Sequence, residues 1–174
     1  MKFLCGLMLL LSACSAQAYS YTKEFSEAEL QNMVSAMMPL TRTKYFVTLT
    51  FTQPKVHLLE SSNELGLGAT IHASALGAFN GNGTTYITGS ISYNQDEGAF
   101  YFQNPQLVEL KLNGVAKKQQ TEIQKLAQST ITTLLASRPI YILNDNDLKQ
   151  KLAKSTLESV TVTKGKLVVS LSVF

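Results

Sequence analysis

The longest regular pattern in the chain is an alternation of apolar and polar residues from about residue 44 to residue 112. Strict alternation predicts half-buried β-strands, because successive side chains of a strand point to opposite faces of a sheet. The first strand places Leu49 and Phe51 between threonines, and after Pro54 the apolar phase moves to Val56. A one-residue phase shift at a proline is typical of a β-bulge or bend.

Three more strands are predicted in this region, separated by turn residues at 80–83 and 96–98. They run over residues 65–75, 87–93 and 100–112, and Pro105 introduces a second kink in the last of them. Because the connections have the short spacing of hairpins, the strands are expected to form an antiparallel meander.

Helical spacing marks two further segments. In the first, Ser26 and Glu29 have the spacing of a capping box, a methionine-rich apolar stripe follows, and Pro39 ends the helix. In the second, from about residue 115 to residue 136, apolar residues recur every three or four positions. A Lys-Gly turn within residues 160–174 predicts a C-terminal hairpin.

An amphipathic helix of this length and a long meander must bury their apolar faces against each other. The expected fold is therefore α+β: a curled antiparallel β-sheet wrapped around a long α-helix, with an N-terminal helix and a C-terminal β-hairpin. Small residues in the second strand leave room either for tight helix packing or for a groove that holds a hydrocarbon chain. The candidate apolar groove consists of inward-facing strand and helix positions: Leu49, Phe51, Leu58, Ile71, Ile91, Phe102, Leu110, Ile123, Leu126, Ile131 and Leu134.

The first residues have the features of an export signal. Lys2 precedes a short apolar run, Phe3 to Leu11, which suits a signal peptide and is too short to span a bilayer. The following Leu-Ser-Ala-Cys, ending at Cys14, resembles the lipobox of bacterial lipoproteins. In that family the cysteine thiol receives a diacylglycerol and the chain is cut before it, so the resemblance predicts Cys14 as the lipid attachment residue.

The domain organisation predicted from these signals is simple. Residues 1–13 form a signal peptide with a lipobox, residues 14–23 a tether, and residues 24–174 a single domain. Ala16-Gln17-Ala18 also matches ordinary secretory cleavage, which leaves the alternative of a soluble periplasmic protein cut after Ala18. Ser15 stands where an aspartate typically retains lipoproteins at the inner membrane, so the resemblance favours an outer-membrane lipoprotein facing the periplasm.

Composition narrows the class of function. Hydrophobic residues make up 45% of the chain and charged residues 16%, which is sufficient for a packed core. The net charge is only +3 and the lysines are scattered, so no nucleic-acid partner is expected. No cysteine follows Cys14, and the domain is therefore expected to fold without a disulfide.

The sequence contains few candidates for metal-binding or catalytic residues. His57 and His72 are the only histidines, and neither has a companion at metal-ligand spacing. Asp145-Asn146-Asp147 lacks the glycine and the glutamate of a calcium loop, and we interpret it as a helix cap. The sequence therefore predicts no metal, no cofactor and no catalytic residue, and the protein is expected not to be an enzyme.

The order of elements resembles the YceB-like lipoproteins, a Gram-negative envelope family of unknown function. The resemblance covers the lipobox, the helix that begins Ser-Glu-Ala-Glu-Leu, the meander, the long helix, Pro139-Ile140-Tyr141-Ile142-Leu143 and the hairpin. That family is similar in fold to the super-roll of tubular lipid-binding (TULIP) proteins, in which a curled sheet wraps a long helix and can enclose an acyl chain. The resemblance implies binding of a lipid or another apolar ligand, and it assigns no catalytic residue.

Two functions are expected from this sequence. The first is that of a monomeric outer-membrane lipoprotein that binds a lipid or other hydrophobic molecule in a groove between sheet and helix. The second is that of an envelope structural or protein-interaction module with no enclosed ligand. The space between the sheet and the long helix distinguishes the two.

Overall fold

The structure, a computed structural model, describes residues 19–154 and 157–173. The predicted signal peptide and Cys14 lie outside these residues. The elements in chain order are β1 (Tyr19–Ser26), α1 (Glu27–Ala36), β2 (Leu40–Lys44), β3 (Val47–Leu59), β4 (Glu64–Ala75), β5 (Phe79–Asn94), β6 (Ala99–Asn113), α2 (Lys117–Ala136), β7 (Pro139–Ile142), α3 (Leu148–Ala153), β8 (Leu157–Thr163) and β9 (Lys166–Val173).

The larger sheet contains six antiparallel strands in the order β2-β3-β4-β5-β6-β7 and is strongly curled into a half-barrel. Its apolar residues alternate as predicted, with Leu49 and Phe51 of β3 and Leu67 and Ile71 of β4 buried. The register of β3 against β4 shifts between Thr52 and Lys55, so the predicted bulge is confirmed. The α+β class and the antiparallel meander are confirmed as well.

Helix α2 packs its apolar stripe against the inner face of this sheet. Ile123, Ala127, Ile131 and Leu135 are buried, and they recur at the three- and four-residue spacing of one helix face. Thr130 lies on the same face and is also buried. These residues belong to the hydrophobic core, and β6 is the strand that lies closest to α2. Their burial stabilises the fold, since apolar burial is the dominant stabilising term.

A second, smaller sheet with the order β1-β9-β8 closes one end of the half-barrel. The side-chain amide of Asn63, in the β3–β4 turn, donates to the Val160 carbonyl at 3.2 Å and accepts from the Val162 N–H at 2.6 Å. The ring of Phe25 contacts Tyr141 edge-on at 5.2 Å between centroids. We call this the proximal end, and the opposite end, where β2 meets β3 and β4 meets β5, the distal end.

The start of the domain differs from the prediction. Residues 19–23 were expected in the tether, but they form the first part of β1, which pairs with β9. The first described element is therefore a strand rather than the predicted N-terminal helix, and α1 follows it. Ser26 caps α1, and Glu29 accepts from the Ser26 backbone N–H at 2.8 Å, which completes the capping box.

One predicted turn lies inside a strand. Asn80-Gly81-Asn82-Gly83 belongs to β5, and the chain turns at residues 76–78 instead. The glycines serve close packing: a Cβ added at Gly83 would lie 1.7 Å from the Lys111 carbonyl oxygen, and one at Gly81 would lie 2.4 Å from Val115. Glycine at these positions permits a close approach of neighbouring backbone rather than a reversal of the chain.

Helix α1 covers part of the free edge of β3. The second half of β3 pairs with β4 on one side, but on the other side β2 pairs only with residues 47–51. The Gln31 side chain donates to the Pro54 carbonyl at 2.6 Å and accepts from the Val56 N–H at 2.9 Å. Glu27 accepts from the Leu58 N–H at 2.7 Å. These side chains form hydrogen bonds with backbone groups at the edge of the sheet, where another strand would otherwise pair.

The same arrangement recurs between α2 and β6. The Gln128 side chain donates to the Pro105 carbonyl at 2.8 Å and accepts from the Leu107 N–H at 2.7 Å. The register of β5 against β6 also shifts between Tyr86 and Ile87, where Val108 has no partner in β5, and Val108 is 61% exposed. We call Gln31 and Gln128 the glutamine clamps, because each fastens a helix to a proline-containing bulge.

The two tightest hairpin turns use different residues for the same geometry. Lys44 pairs with Val47, and Tyr45 and Phe46 between them have φ of 51° and 65°. The Lys164–Gly165 turn between β8 and β9 has φ of 51° and 69°. A two-residue turn with both φ positive is type I′, which favours Asn-Gly, and a side chain in this region costs roughly 1–2 kcal/mol.

Candidate functional site

The space between the sheet and α2 is filled by side chains. Leu49 and Ile71 are fully buried, and Ile123 is 2% exposed. Three internal cavities have volumes of about 30, 10 and 20 Å³. A cavity needs roughly 10–15 Å³ to hold one water molecule, so these have room for one or two waters and not for an acyl chain.

The predicted groove residues share one core without enclosing a groove of their own. Six of them are buried, and the other five are half-buried against the same core. Phe102 lines the largest cavity, and Phe51, Ile131 and Leu134 line the smallest. Leu49, Leu58, Ile71 and Leu110 pack in the core, Ile91 lines the third cavity, and Ile123 and Leu126 line an open groove at the distal end.

This distal groove is an open concavity with a mainly apolar lining. It has a volume of about 670 Å³ and lies between the β2–β3 turn and the first half of α2. Val47, Phe79 and Leu126 provide an apolar floor, together with the edge of Ile123. Small-molecule sites typically have volumes of about 300–1,000 Å³ and mostly apolar walls, so the groove has the size of such a site.

The rim of the distal groove is mainly basic. Lys44 and Lys118 lie on opposite sides of it, and Lys125 pairs with Glu122 at 3.3 Å. The Lys44 ammonium lies 5.2 Å from the centre of the Tyr45 ring, a cation–π distance. One carboxylate against three ammonium groups leaves an excess of positive charge around an apolar floor.

The position of Lys118 is unfavourable for helix stability. It lies in the first turn of α2, where no acidic residue is present and the Ala116 side chain provides no cap. The positive end of the helix dipole repels a cation here, typically by 0.3–1 kcal/mol. Lys118 and its neighbour Lys117 therefore do not stabilise the helix, which favours a role in recognition of an anion.

A second surface groove, of about 530 Å³, lies between β5, β6 and the end of α2. Its lining includes Ser92, Asn94, Glu97, Gln103 and Asn104. These side chains are predominantly polar, so this groove offers an apolar molecule much less contact than the distal groove does.

The remaining polar chemistry is structural. His72 shares a hydrogen bond of 2.7 Å with Asn82 across β4 and β5, and the ring of His57 lies near that of Tyr86, tilted by 43° with 6.4 Å between ring centroids. Burial raises the pKa of the Tyr93 phenol, which donates to the Lys154 carbonyl at 2.6 Å. Within residues 19–154 and 157–173, no three His, Cys, Asp or Glu side chains are grouped so that they could hold a metal ion.

Only part of the distal groove could be predicted from the sequence. Ile123 and Leu126 were predicted, whereas Lys44, Tyr45, Phe79 and Lys118 were not. The signal that was available is the pair Tyr45–Phe46 between two alternating strands, where a tight turn usually carries asparagine or glycine.

Comparison with known proteins gives a family but no activity. A family model described as a protein of unknown function, DUF1439, matches residues 25–166. A search of curated proteins finds no match. In the part of the chain that the structure describes, no helix combines the length and the hydropathy that crossing a membrane requires.

Proposed function

Since the chain belongs to the DUF1439 family, whose function is unknown, we propose its function from its own residues. The protein is an envelope lipoprotein, anchored through Cys14, that binds a single-chain anionic lipid or a similar amphiphile in the distal groove. Its role is binding rather than catalysis. The observation that carries the proposal is an apolar groove of about 670 Å³ with lysines on both sides.

The apolar floor suits a hydrocarbon chain. Transfer of a methylene group from water to an apolar surface contributes about 0.8 kcal/mol, so a groove that covers several methylenes supports binding without any enclosed cavity. Leu126 is half-buried and contributes its side chain to the floor. The filled interior beneath α2 leaves the distal groove as the place where such a chain has room.

The lysines suit an anionic headgroup. Lys44 and Lys118 flank the floor from the sheet side and the helix side, so a carboxylate or phosphate at the end of the chain meets ammonium groups from both. A charged headgroup on a partly exposed rim is screened by salt, and binding is therefore expected to weaken as ionic strength rises.

The resemblance to super-roll proteins supports the same function. A strongly curled antiparallel sheet with a long helix against it is compatible with the TULIP architecture, although fold alone does not fix function.

The proposal extends to the location of the protein. We propose that it is anchored in the outer membrane and faces the periplasm; the alternative is cleavage after Ala18, which would give a soluble periplasmic form. Cys14→Ala, followed by palmitate labelling and fractionation of cells, distinguishes these forms, because only the anchored form loses label and becomes soluble.

The binding test compares two leucines of the same helix. The exported chain carrying Cys14→Ala is purified and titrated with a fluorescent fatty acid, and native mass spectrometry records any lipid that it retains. Leu126→Gln removes part of the groove floor, whereas Leu134→Gln changes another half-buried leucine, which lines an internal cavity. We expect Leu126→Gln to weaken binding about tenfold, equivalent to 1.4 kcal/mol, and Leu134→Gln to leave it unchanged.

Other outcomes contradict the proposal. A purified chain that retains no lipid and takes up no fatty acid supports the second function, an envelope interaction module without a ligand, which the filled sheet–helix interior favours. Loss of binding only in Leu134→Gln would place the ligand in the interior instead of the distal groove.

A further inference from the structure

The turns of the distal end expose large apolar side chains. Phe46 is 91% exposed and Tyr45 is 81% exposed at the β2–β3 turn, and Leu76 is fully exposed at the β4–β5 turn. The two turns are neighbours, because Val47 pairs with Ala75 in the sheet. Three such side chains at one end form a protruding apolar tip, and a patch of this kind marks an interaction surface.

The stability of the fold does not explain why Tyr45 and Phe46 occupy the β2–β3 turn. The turn of the same type at Lys164–Gly165 has glycine at its second position, whereas the distal turn holds Phe46 there at a φ of 65°. Backbone strain of this kind persists at functional sites, where the side chain has a role that outweighs the conformational cost. Since Phe46 is almost entirely exposed, that role is not packing within this molecule.

The charge of the distal end identifies the partner. Residues 41–46, 76–78 and 113–118 carry Arg42, Lys44, Lys117 and Lys118, and no aspartate or glutamate. Basic side chains around exposed aromatic and aliphatic groups match the interface of an anionic bilayer, where apolar groups enter the headgroup region and cations meet lipid phosphates. A second copy of this chain offers no such complementarity, because its own distal end has the same positive charge.

We propose that the distal end docks on an anionic lipid surface, with Phe46 and Leu76 inserted and the four basic residues in contact with the headgroups. The distal groove opens beside this tip, because Lys44 and Tyr45 line it. A docked molecule therefore presents the groove to the bilayer from which an amphiphile can enter. This inference deepens the proposed function and rests on it only for the passage of ligand, since Phe46 and Leu76, the inserted side chains, do not line the distal groove.

The test uses the Cys14→Ala chain, so that no covalent lipid contributes to membrane binding. Its flotation is measured with phosphatidylcholine vesicles that contain or lack phosphatidylglycerol, at low and high salt. We expect binding to the anionic vesicles only, decreasing with salt. Phe46→Gly combined with Leu76→Ser is expected to weaken binding at least about tenfold. Leu148→Ser, which removes a 69% exposed leucine of α3, serves as the matched control and is expected to have no effect.

The two proposals can fail separately. Phe46→Gly/Leu76→Ser is expected to retain fatty-acid affinity, because neither residue lines the distal groove. Leu126→Gln is expected to retain vesicle binding, because Leu126 is not part of the apolar tip. Equal flotation of the wild-type chain and of Phe46→Gly/Leu76→Ser would overturn the docking proposal. It would also be overturned if the wild-type chain bound no vesicles, or if light scattering showed a dimer that Phe46→Gly abolishes, which would assign the tip to a second copy.

Discussion

The glutamine clamp at Gln128 offers a strong test of how α2 is attached to the sheet. Gln128→Ala removes a side chain that bonds both the Pro105 carbonyl and the Leu107 N–H, at 2.8 and 2.7 Å. These two bonds fasten α2 to the bulge of β6. Helix α2 also forms one wall of the distal groove, so these bonds help to position that wall relative to the sheet.

The expected loss of stability in Gln128→Ala follows from the two hydrogen bonds that the substitution removes. Each contributes about 0.5–1.5 kcal/mol net, so two contribute about 1–3 kcal/mol. Gln128 is half-buried, which lets water satisfy part of the exposed backbone, and alanine is the better helix former by a few tenths of a kcal/mol. We therefore expect Gln128→Ala to lower the free energy of unfolding by about 1–2 kcal/mol, or the Tm by roughly 2–8 °C.

Urea unfolding of the Cys14→Ala chain measures this change, with Gln124→Ala as the control. Gln124 is an exposed glutamine one turn earlier on the same helix, and its replacement is expected to change stability by less than about 0.5 kcal/mol. Amide exchange should also accelerate at Leu107 in Gln128→Ala. If the two variants unfold at the same urea concentration, the clamp does not hold α2 and the reasoning is refuted.

Further predictions concern other parts of the fold. Gln31→Ala should destabilise the protein by about 1–2 kcal/mol relative to Asn32→Ala in the same urea assay, because the clamp of α1 also makes two backbone bonds. Hydrogen bonds from Ser26 lower the pKa of Glu29, so its contribution to stability is present above the ordinary carboxyl pKa and is lost as pH falls through the lowered value; Glu29→Gln should flatten this acid-side loss in thermal melts. Phe46→Gly should leave stability unchanged or raise it by up to about 1 kcal/mol, because relief of the positive φ offsets the greater chain entropy of glycine.

The strands of the larger sheet were predictable because each carries its own signal. Alternation located β3, β4 and β6, and Pro54 marked a real bulge. Strand β1 was missed because its partner β9 is far away in sequence, and only that pairing distinguishes it from a tether. Asn80 to Gly83 were misassigned because glycine that permits close packing looks the same in a sequence as glycine in a turn.

The candidate site was predicted only in part, for a related reason. Periodicity identified which side chains of the sheet and of α2 face inward, and those residues do form the core. It could not determine whether they fill the interior, because packing depends on fractions of an ångström in helix position. The distal groove also depends on Tyr45 and Lys118, whose proximity arises from the curl of the sheet rather than from any local pattern.

The central claim is that the ligand lies between the β2–β3 turn and α2. A fatty acid with a photoreactive group at its chain end, irradiated with the Cys14→Ala chain and mapped by peptide mass spectrometry, locates the ligand directly. We predict saturable adducts within residues 44–47 and 118–129, which are lost when unlabelled fatty acid competes. Adducts at Met38, Leu67 or Leu135 around the internal cavities, or labelling that competitor does not reduce, would contradict the account.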